Sequence, residues 1–165
     1  CTTGWWGAHL DADVKVPAGE TRAFSFTNLG GAANWNNYVV VLRNAALAEY
    51  VVVRSDNFGW TGDNSGPYGW KNCTAGSTGA ADWATWLAGM NGAKVVVYVT
   101  NNNNGTADVL AITTGTDGKV NTQYYYGIDG VDANDLFVDF TVDSSCLKFD
   151  TAASARKHYA RAHRR

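Results

Sequence analysis

AKVVVYVTNNNNGTADVLAITTGTDGKVNTQYYY, residues 93–126, decides the fold. Three runs rich in Val, Ile, Thr and Tyr, at Ala93–Thr100, Ala107–Thr114 and Lys119–Tyr126, are separated by Asn104-Gly105 and by Thr116-Asp117-Gly118. β-branched and aromatic side chains suit a pleated strand, and Asn-Gly or Asp-Gly readily supplies the positive φ of a tight turn. The stretch therefore predicts three antiparallel strands in series. Tyr124, Tyr125 and Tyr126 put two rings on one sheet face and one on the other. That arrangement serves an aromatic platform or ordinary cross-strand packing equally well.

The same two-residue period extends outward along the chain. His9–Val16 alternates apolar and polar residues, and Thr21–Asn28 sets Phe24 and Phe26 on one face. Tyr38–Arg43 and Tyr50–Arg54 are apolar on both faces, as strands inside a two-layer stack should be. Leu136–Val142 and Cys146–Phe149 complete about nine strands. The expectation is an all-β chain: an antiparallel two-sheet β-sandwich of jelly-roll type. One short helix is expected over Ala80–Met90, where Trp83, Trp86, Leu87 and Met90 recur at helical spacing and Asn91-Gly92 supplies a stop. Both of those tryptophans are expected in the core. Residues 55–79 read as one long loop of Gly, Ser, Asn and aromatics, and its aromatics argue for a function rather than disorder.

The 165 residues suit one domain. The formal balance of -2 conceals two parts: residues 1–150 carry 8 basic against 15 acidic residues, a net of -7, while Arg156, Lys157, Arg161, Arg164 and Arg165 crowd the end. The reading is a β-sandwich module over 1–150 and a basic tail over 151–165. The tail serves as a linker or remnant, or as a basic segment for an acidic partner. No apolar run approaches the roughly 18 residues of a membrane helix and no charged leader is present, so a soluble, mature chain is expected. Cys1, Cys73 and Cys146 match no metal spacing. A Cys73–Cys146 bridge and three free thiols fit equally, and Cys1 would also suit the acylated first residue of a bacterial lipoprotein, the one route to a membrane.

Catalytic chemistry finds little support. His9 is the sole histidine of the body, and Glu20 and Glu49 are the two glutamates of the chain. Neither glutamate belongs to a recognisable pair for glycosidic hydrolysis, and no Ser, Cys or Thr has a base beside it. The aspartates at 129, 132, 135, 139 and 143 read as solvated loop and edge residues, or as a structural Ca²⁺ site. No cofactor is required by this reading and the chain is not expected to be an enzyme.

Sugar binding is better served. Aromatic faces stack on the C–H patches of a pyranose, and planar amides, carboxylates and guanidinium groups bond its hydroxyls. The chain has seven Trp and eight Tyr, and in three places such aromatics stand among Asn, Asp and Arg. These are Trp5-Trp6, Asn34-Trp35-Asn36-Asn37, and Arg54-Ser55-Asp56-Asn57-Phe58-Gly59-Trp60 leading to Tyr68 and Trp70. The candidate ligand-binding residues are Trp6, Trp35, Asn36, Arg54, Asp56, Asn57, Trp60, Tyr68 and Trp70. Each has a structural alternative. One of Trp5 and Trp6 must face inward on a strand, Trp35 could plug the core, and Arg54 could pair with Asp56. Asn72-Cys73-Thr74 and Asn104-Gly105-Thr106 also fit the glycosylation sequon, which matters in a eukaryotic source.

In order along the chain, Trp5-Trp6, AANWNNYVVVLRN (32–44), EYVVVRSDNFGW (49–60), ADWATWLAGMNGAKVVVYV (81–99) and TADVLAITTGTDGK (106–119) resemble the β-sandwich carbohydrate-binding modules attached to bacterial glycoside hydrolases and surface glycan-binding proteins, notably in Bacteroidetes. The resemblance covers roughly residues 3 to 149. It implies a secreted or cell-surface, non-catalytic jelly roll that binds polysaccharide, often β-glucan, and brings an attached hydrolase to its substrate. It points to Trp6, Trp35, Asn36, Arg54, Asp56, Asn57 and Trp60. An acidic body argues for uncharged glycans and against nucleic acid. The alternative is a structural subunit of an extracellular fibre or surface layer, or a lipid-anchored adhesin, whose aromatic faces and Val-rich edge strands bury against neighbours.

Overall fold

The computed structural model describes residues 8–10, 13–29, 38–54, 72–78, 85, 88–141, 147–150 and 155–157. Twelve strands run in order: β1 (Ala8–Leu10), β2 (Val14–Lys15), β3 (Thr21–Asn28), β4 (Val39–Arg43), β5 (Glu49–Arg54), β6 (Thr74–Thr78), β7 (Lys94–Asn101), β8 (Ala107–Thr114), β9 (Val120–Ile128), β10 (Phe137–Thr141), β11 (Leu147–Phe149) and β12 (Ala155–Lys157). All the pairings are antiparallel. A four-stranded sheet has the order β2-β10-β4-β5, a six-stranded sheet the order β11-β3-β7-β8-β9-β6, and β1 and β12 form a small third pair.

The two large sheets form a sandwich. Alternation sends every second side chain of β3, β7, β8 and β9 inward to meet β4, β5 and β10. Phe24 and Phe26 of β3 meet Phe140 of β10 edge-on, at ring-centroid distances of 5.0 and 5.4 Å. Phe26 meets Tyr38 in the same way at 5.2 Å. Tyr38, fully buried, crosses the core and donates its hydroxyl to Gln123 Oε1 of β9 at 2.9 Å. Burial pushes this phenol far above the usual tyrosine range.

Buried amides tie loops to the sandwich. Asn101, at the end of β7, donates from Nδ2 to the carbonyls of Val16 and Ala133, both at 2.9 Å. The β7–β8 turn that follows places Asn103 at φ 58° and Gly105 at φ 84°. The turn falls where Asn104-Gly105 signalled it, but as a loop over 102–106 with Asn103 rather than Asn104 in the left-handed region.

Several expectations need correction. The run 9–16 is divided into β1 and β2. The long loop read over 55–79 ends in a strand, β6, and the basic tail contributes β12, which pairs with β1. In the helical stretch, Thr85, Ala88 and Gly89 have helical backbone and Met90 is fully buried, but no helix is delimited among the described residues. Trp83 and Trp86 lie outside them. Cys73 is a free thiol, so the Cys73–Cys146 bridge is not formed. Cys73 directly precedes β6, and Leu147, next in the chain after Cys146, opens β11. These strands are opposite edges of the six-stranded sheet, five strand spacings or roughly 24 Å apart along it, and a bridge needs Cα atoms within about 7 Å. Burial, aided by the charge of Asp129, raises the Cys73 thiol above its ordinary value.

Candidate functional site

The predicted loops share a common base. Val39 opens β4 and pairs with Arg54, the last residue of β5, on one side and with Thr141, the last residue of β10, on the other. The segments 30–37 and 55–71 therefore join the four-stranded sheet at one end, and β1, two residues after Trp6, lies against β10. The NWNN and SDNFGW motifs spring from neighbouring strand ends. Trp6, Trp35, Asn36, Asp56, Asn57, Trp60, Tyr68 and Trp70 themselves lie outside the described residues, and of Arg54 the backbone alone is described.

Behind this end, the outer face of the four-stranded sheet is buried. Val39, Val41 and Val52 form a second apolar cluster, 3 % exposed or less. Beside them Arg43 and Asp139 are closed off from solvent: Arg43 Nε donates to Asp139 Oδ2 at 2.7 Å, Nη2 to Asp13 Oδ1 at 2.8 Å and Nη1 to the Asn44 carbonyl at 2.9 Å. The guanidinium carbon also lies 5.2 Å from the centre of the Phe137 ring. A buried charge is tolerated when it is paired and its donors are used, and this one is.

The outer face of the six-stranded sheet is open. In register across it stand Ala23 (β3), Tyr98 (β7), Leu110 (β8), Tyr124 (β9) and Gly76 (β6). Beside this row run Ser25, Val96, Ile112 and Thr122. Tyr98 is 37 % and Tyr126 42 % exposed. Tyr124 and Tyr126 stack at 4.8 Å with planes 22° apart, so one face of Tyr126 is covered by its neighbour while the residue keeps a substantial exposed area. Tyr98 and Tyr124 stand on strands two spacings apart, roughly 9–10 Å.

A bulge bounds this face beyond Tyr126. Between β8 and β9 the register shifts at Asp108, and Gly127, at φ 71°, donates its N–H to Asp108 Oδ1 at 2.8 Å. The left-handed turn of Gly127 is the conformation of a glycine bulge. Its effect is on parity: Tyr125 points inward, Tyr126 outward, and Ile128 inward again although it is three residues from Tyr125. Polar groups border the rings. Thr21 and Thr100 share a hydrogen bond of 2.8 Å, Ser25 donates to Asp150 at 2.6 Å, and Asp150 holds Lys94 at 3.0 Å. Asn102 donates to Asp108 at 2.9 Å.

Of the five carboxylates read as a cation site, Asp143 lies outside the described residues and the other four hold hydrogen bonds of their own. Asp129 accepts from Asn72, Asp132 from the Asn134 N–H, Asp135 from the Ala45 N–H, and Asp139 from Arg43. Among the described residues no group of three His, Cys, Asp or Glu converges as a metal site. Glu20, just before β3, pairs with Arg22 at 3.2 Å, while Glu49 opens β5 in the other sheet. No helix among the described residues is long and apolar enough to cross a membrane.

Sequence reasoning weighed the tyrosines of β9 without choosing their face, and passed over Tyr98 and Leu110. The alternation of β7 and β8 was the available signal, since Tyr98 is out of phase with inward Val95, Val97 and Val99. No family model matches the chain, and no curated protein is found similar to it.

Proposed function

We propose that the chain is a secreted or cell-surface, non-catalytic module that binds an uncharged polysaccharide, β-glucan or a related glycan, by aromatic stacking and hydrogen bonds. The sandwich would have the jelly-roll winding of such modules, and the module would carry an attached hydrolase or a cell surface to its substrate. One observation carries the reading: an open sheet face that exposes Tyr98 and Tyr126 beside Leu110, within a border of Thr, Ser, Asp and Asn side chains. Sugar rings offer the complementary surface, apolar C–H faces rimmed by hydroxyls. Lys94, at the start of β7 on this face, is held by Asp150, which leaves its charge less available to an anionic ligand and supports a neutral one. The loop residues Trp6, Trp35, Asn36, Arg54, Asp56, Asn57, Trp60, Tyr68 and Trp70 form a second candidate surface at the open end of β4 and β5.

Affinity electrophoresis against β-glucan, xylan and mannan tests the reading. The parent chain is retarded by at least one neutral glycan, and retardation persists at high salt. Tyr98→Ala and Tyr126→Ala together abolish it if the sheet face binds, Trp35→Ala and Trp60→Ala together if the loops do. Retardation by none of the glycans, with self-association in size-exclusion chromatography, would instead assign the open face to a second copy, as in a fibre or surface-layer subunit.

A further inference from the structure

We propose that Gly76 is a positioning residue of the tyrosine face, and that its missing side chain orients Tyr126 toward a neutral sugar ring; this rests on the glycan-binding reading above. The chain of contact is short. Gly76 lies opposite Tyr124 in the β6–β9 pair, and the phenol of Tyr124 leans across the strand onto it. A methyl group built on Gly76 would stand 2.7 Å from Tyr124 Oη, 2.9 Å from Cζ and 3.3 Å from Cε1. The ring thus occupies the space that any other residue at position 76 would fill. Laid over β6 in this way, Tyr124 turns one face to Tyr126, and the two stack at 4.8 Å.

The consequence is directional. Tyr126 is backed on one side by Tyr124 and remains 42 % exposed, so what it offers a ligand is set by that stack, and its side chain points outward just before the Gly127 bulge. A ring fixed before the ligand arrives loses less freedom on binding. Gly76 touches no ligand. It acts through Tyr124, and its cost elsewhere is that β6 carries a glycine in mid-strand, where glycine weakens pairing and marks a close approach.

Gly76→Ala is the test, because the clash falls on the far end of a side chain that can swing away and leave the sheet paired. Two readouts are used on the full chain. Nitration by tetranitromethane, mapped by peptide, reports the rings without any ligand: Gly76→Ala changes the nitration rate of Tyr124 and Tyr126 several-fold and leaves Tyr98 unchanged. Calorimetric titration with cellohexaose and xylohexaose reports binding: affinity falls about threefold to tenfold, the value of one ordered aromatic contact. The double variant Gly76→Ala/Tyr124→Ala binds no more weakly than Tyr124→Ala, since both changes act through one ring. Unchanged nitration in Gly76→Ala overturns the proposal, as does full affinity with the rings displaced, or additive losses in the double variant. A parent chain that binds neither hexaose removes the glycan reading, and the nitration pattern then still decides whether Gly76 seats the ring.

Discussion

The two sheets of this sandwich treat their outer faces in opposite ways. On the four-stranded sheet the outward residues Val39, Val41 and Arg43 of β4 and Asp139 of β10 are closed from solvent and include a charge pair, Arg43 and Asp139, each 1 % exposed at the side chain. On the six-stranded sheet the outward residues of β7 and β9 include rings left 37 and 42 % exposed. The same alternation produces both faces. The difference lies in what the sequence spends at the outward positions: Val39, Val41 and Val52 on one side, Tyr, Thr and Ser on the other. The first face is a second core and the second is an exposed aromatic face.

The largest effect should come from breaking the buried pair. Asp139→Ala removes the buried partner of Arg43 and leaves it paired with the exposed Asp13; it should cost about 3 kcal/mol, measured by urea unfolding. A cost near zero would mean that the four-stranded sheet's outer face is solvated in solution, and the contrast between the faces would fall. Gly127→Ala comes next. A side chain at φ 71° costs roughly 1–2 kcal/mol, and the bulge should relax in a way that disturbs Tyr126 while Tyr98 keeps its place, seen as ring shifts in NMR spectra.

A third measurement concerns the space between the faces. Tyr38 is buried and its pKa is raised by that burial. The unfolded chain therefore releases this proton first, near pH 10, while the folded chain keeps it. Stability from the neutral phenol is complete below about pH 10 and falls above it by about 1.4 kcal/mol per pH unit. Tyr38→Phe should flatten that slope in alkaline unfolding curves; an unchanged slope would show that Tyr38 ionises freely in the folded state. The smallest effect on stability belongs to the open face. Tyr126→Ala should change the unfolding free energy by less than about 1 kcal/mol while weakening glycan binding severalfold. A large loss of stability would make Tyr126 a packing residue and erase the distinction.

Much of the sandwich was legible because its strands alternate. β3 and β8 coincide with the runs read from Thr21–Asn28 and Ala107–Thr114, where inward Phe24, Phe26, Val109 and Ala111 recur every second residue. β6 was not legible. Thr-Ala-Gly-Ser-Thr has one apolar side chain, and it is a strand because β9 offers it an edge to pair with. β12 escaped for a related reason, since Ala155, Arg156 and Lys157 carry no hydrophobic period, and their strand is defined by its pairing with β1. The faces of the β9 tyrosines were undecidable from the run itself. Their resolution depends on how β9 packs, with Gln123 and Tyr125 buried and Tyr124 and Tyr126 outward; the bond from Gly127 N–H to Asp108 resets parity beyond Tyr126. The tryptophan motifs show the converse: their spacing was plain, and the structure speaks to their stems, Val39 and Arg54, rather than to the rings.

The pairing of β1 with β12 bears on mechanics. Ala8 stands opposite Lys157 and Leu10 opposite Ala155, so tension applied through the chain before Ala8 and after Lys157 pulls both strands apart from the same end. The load falls on one hydrogen-bonded rung at a time, as in a zipper, rather than on all rungs together. Such a pair yields at low force and releases slack before the large sheets are strained. A module tethered in flow by both flanking segments would let out a few residues of line and keep its tyrosine face folded.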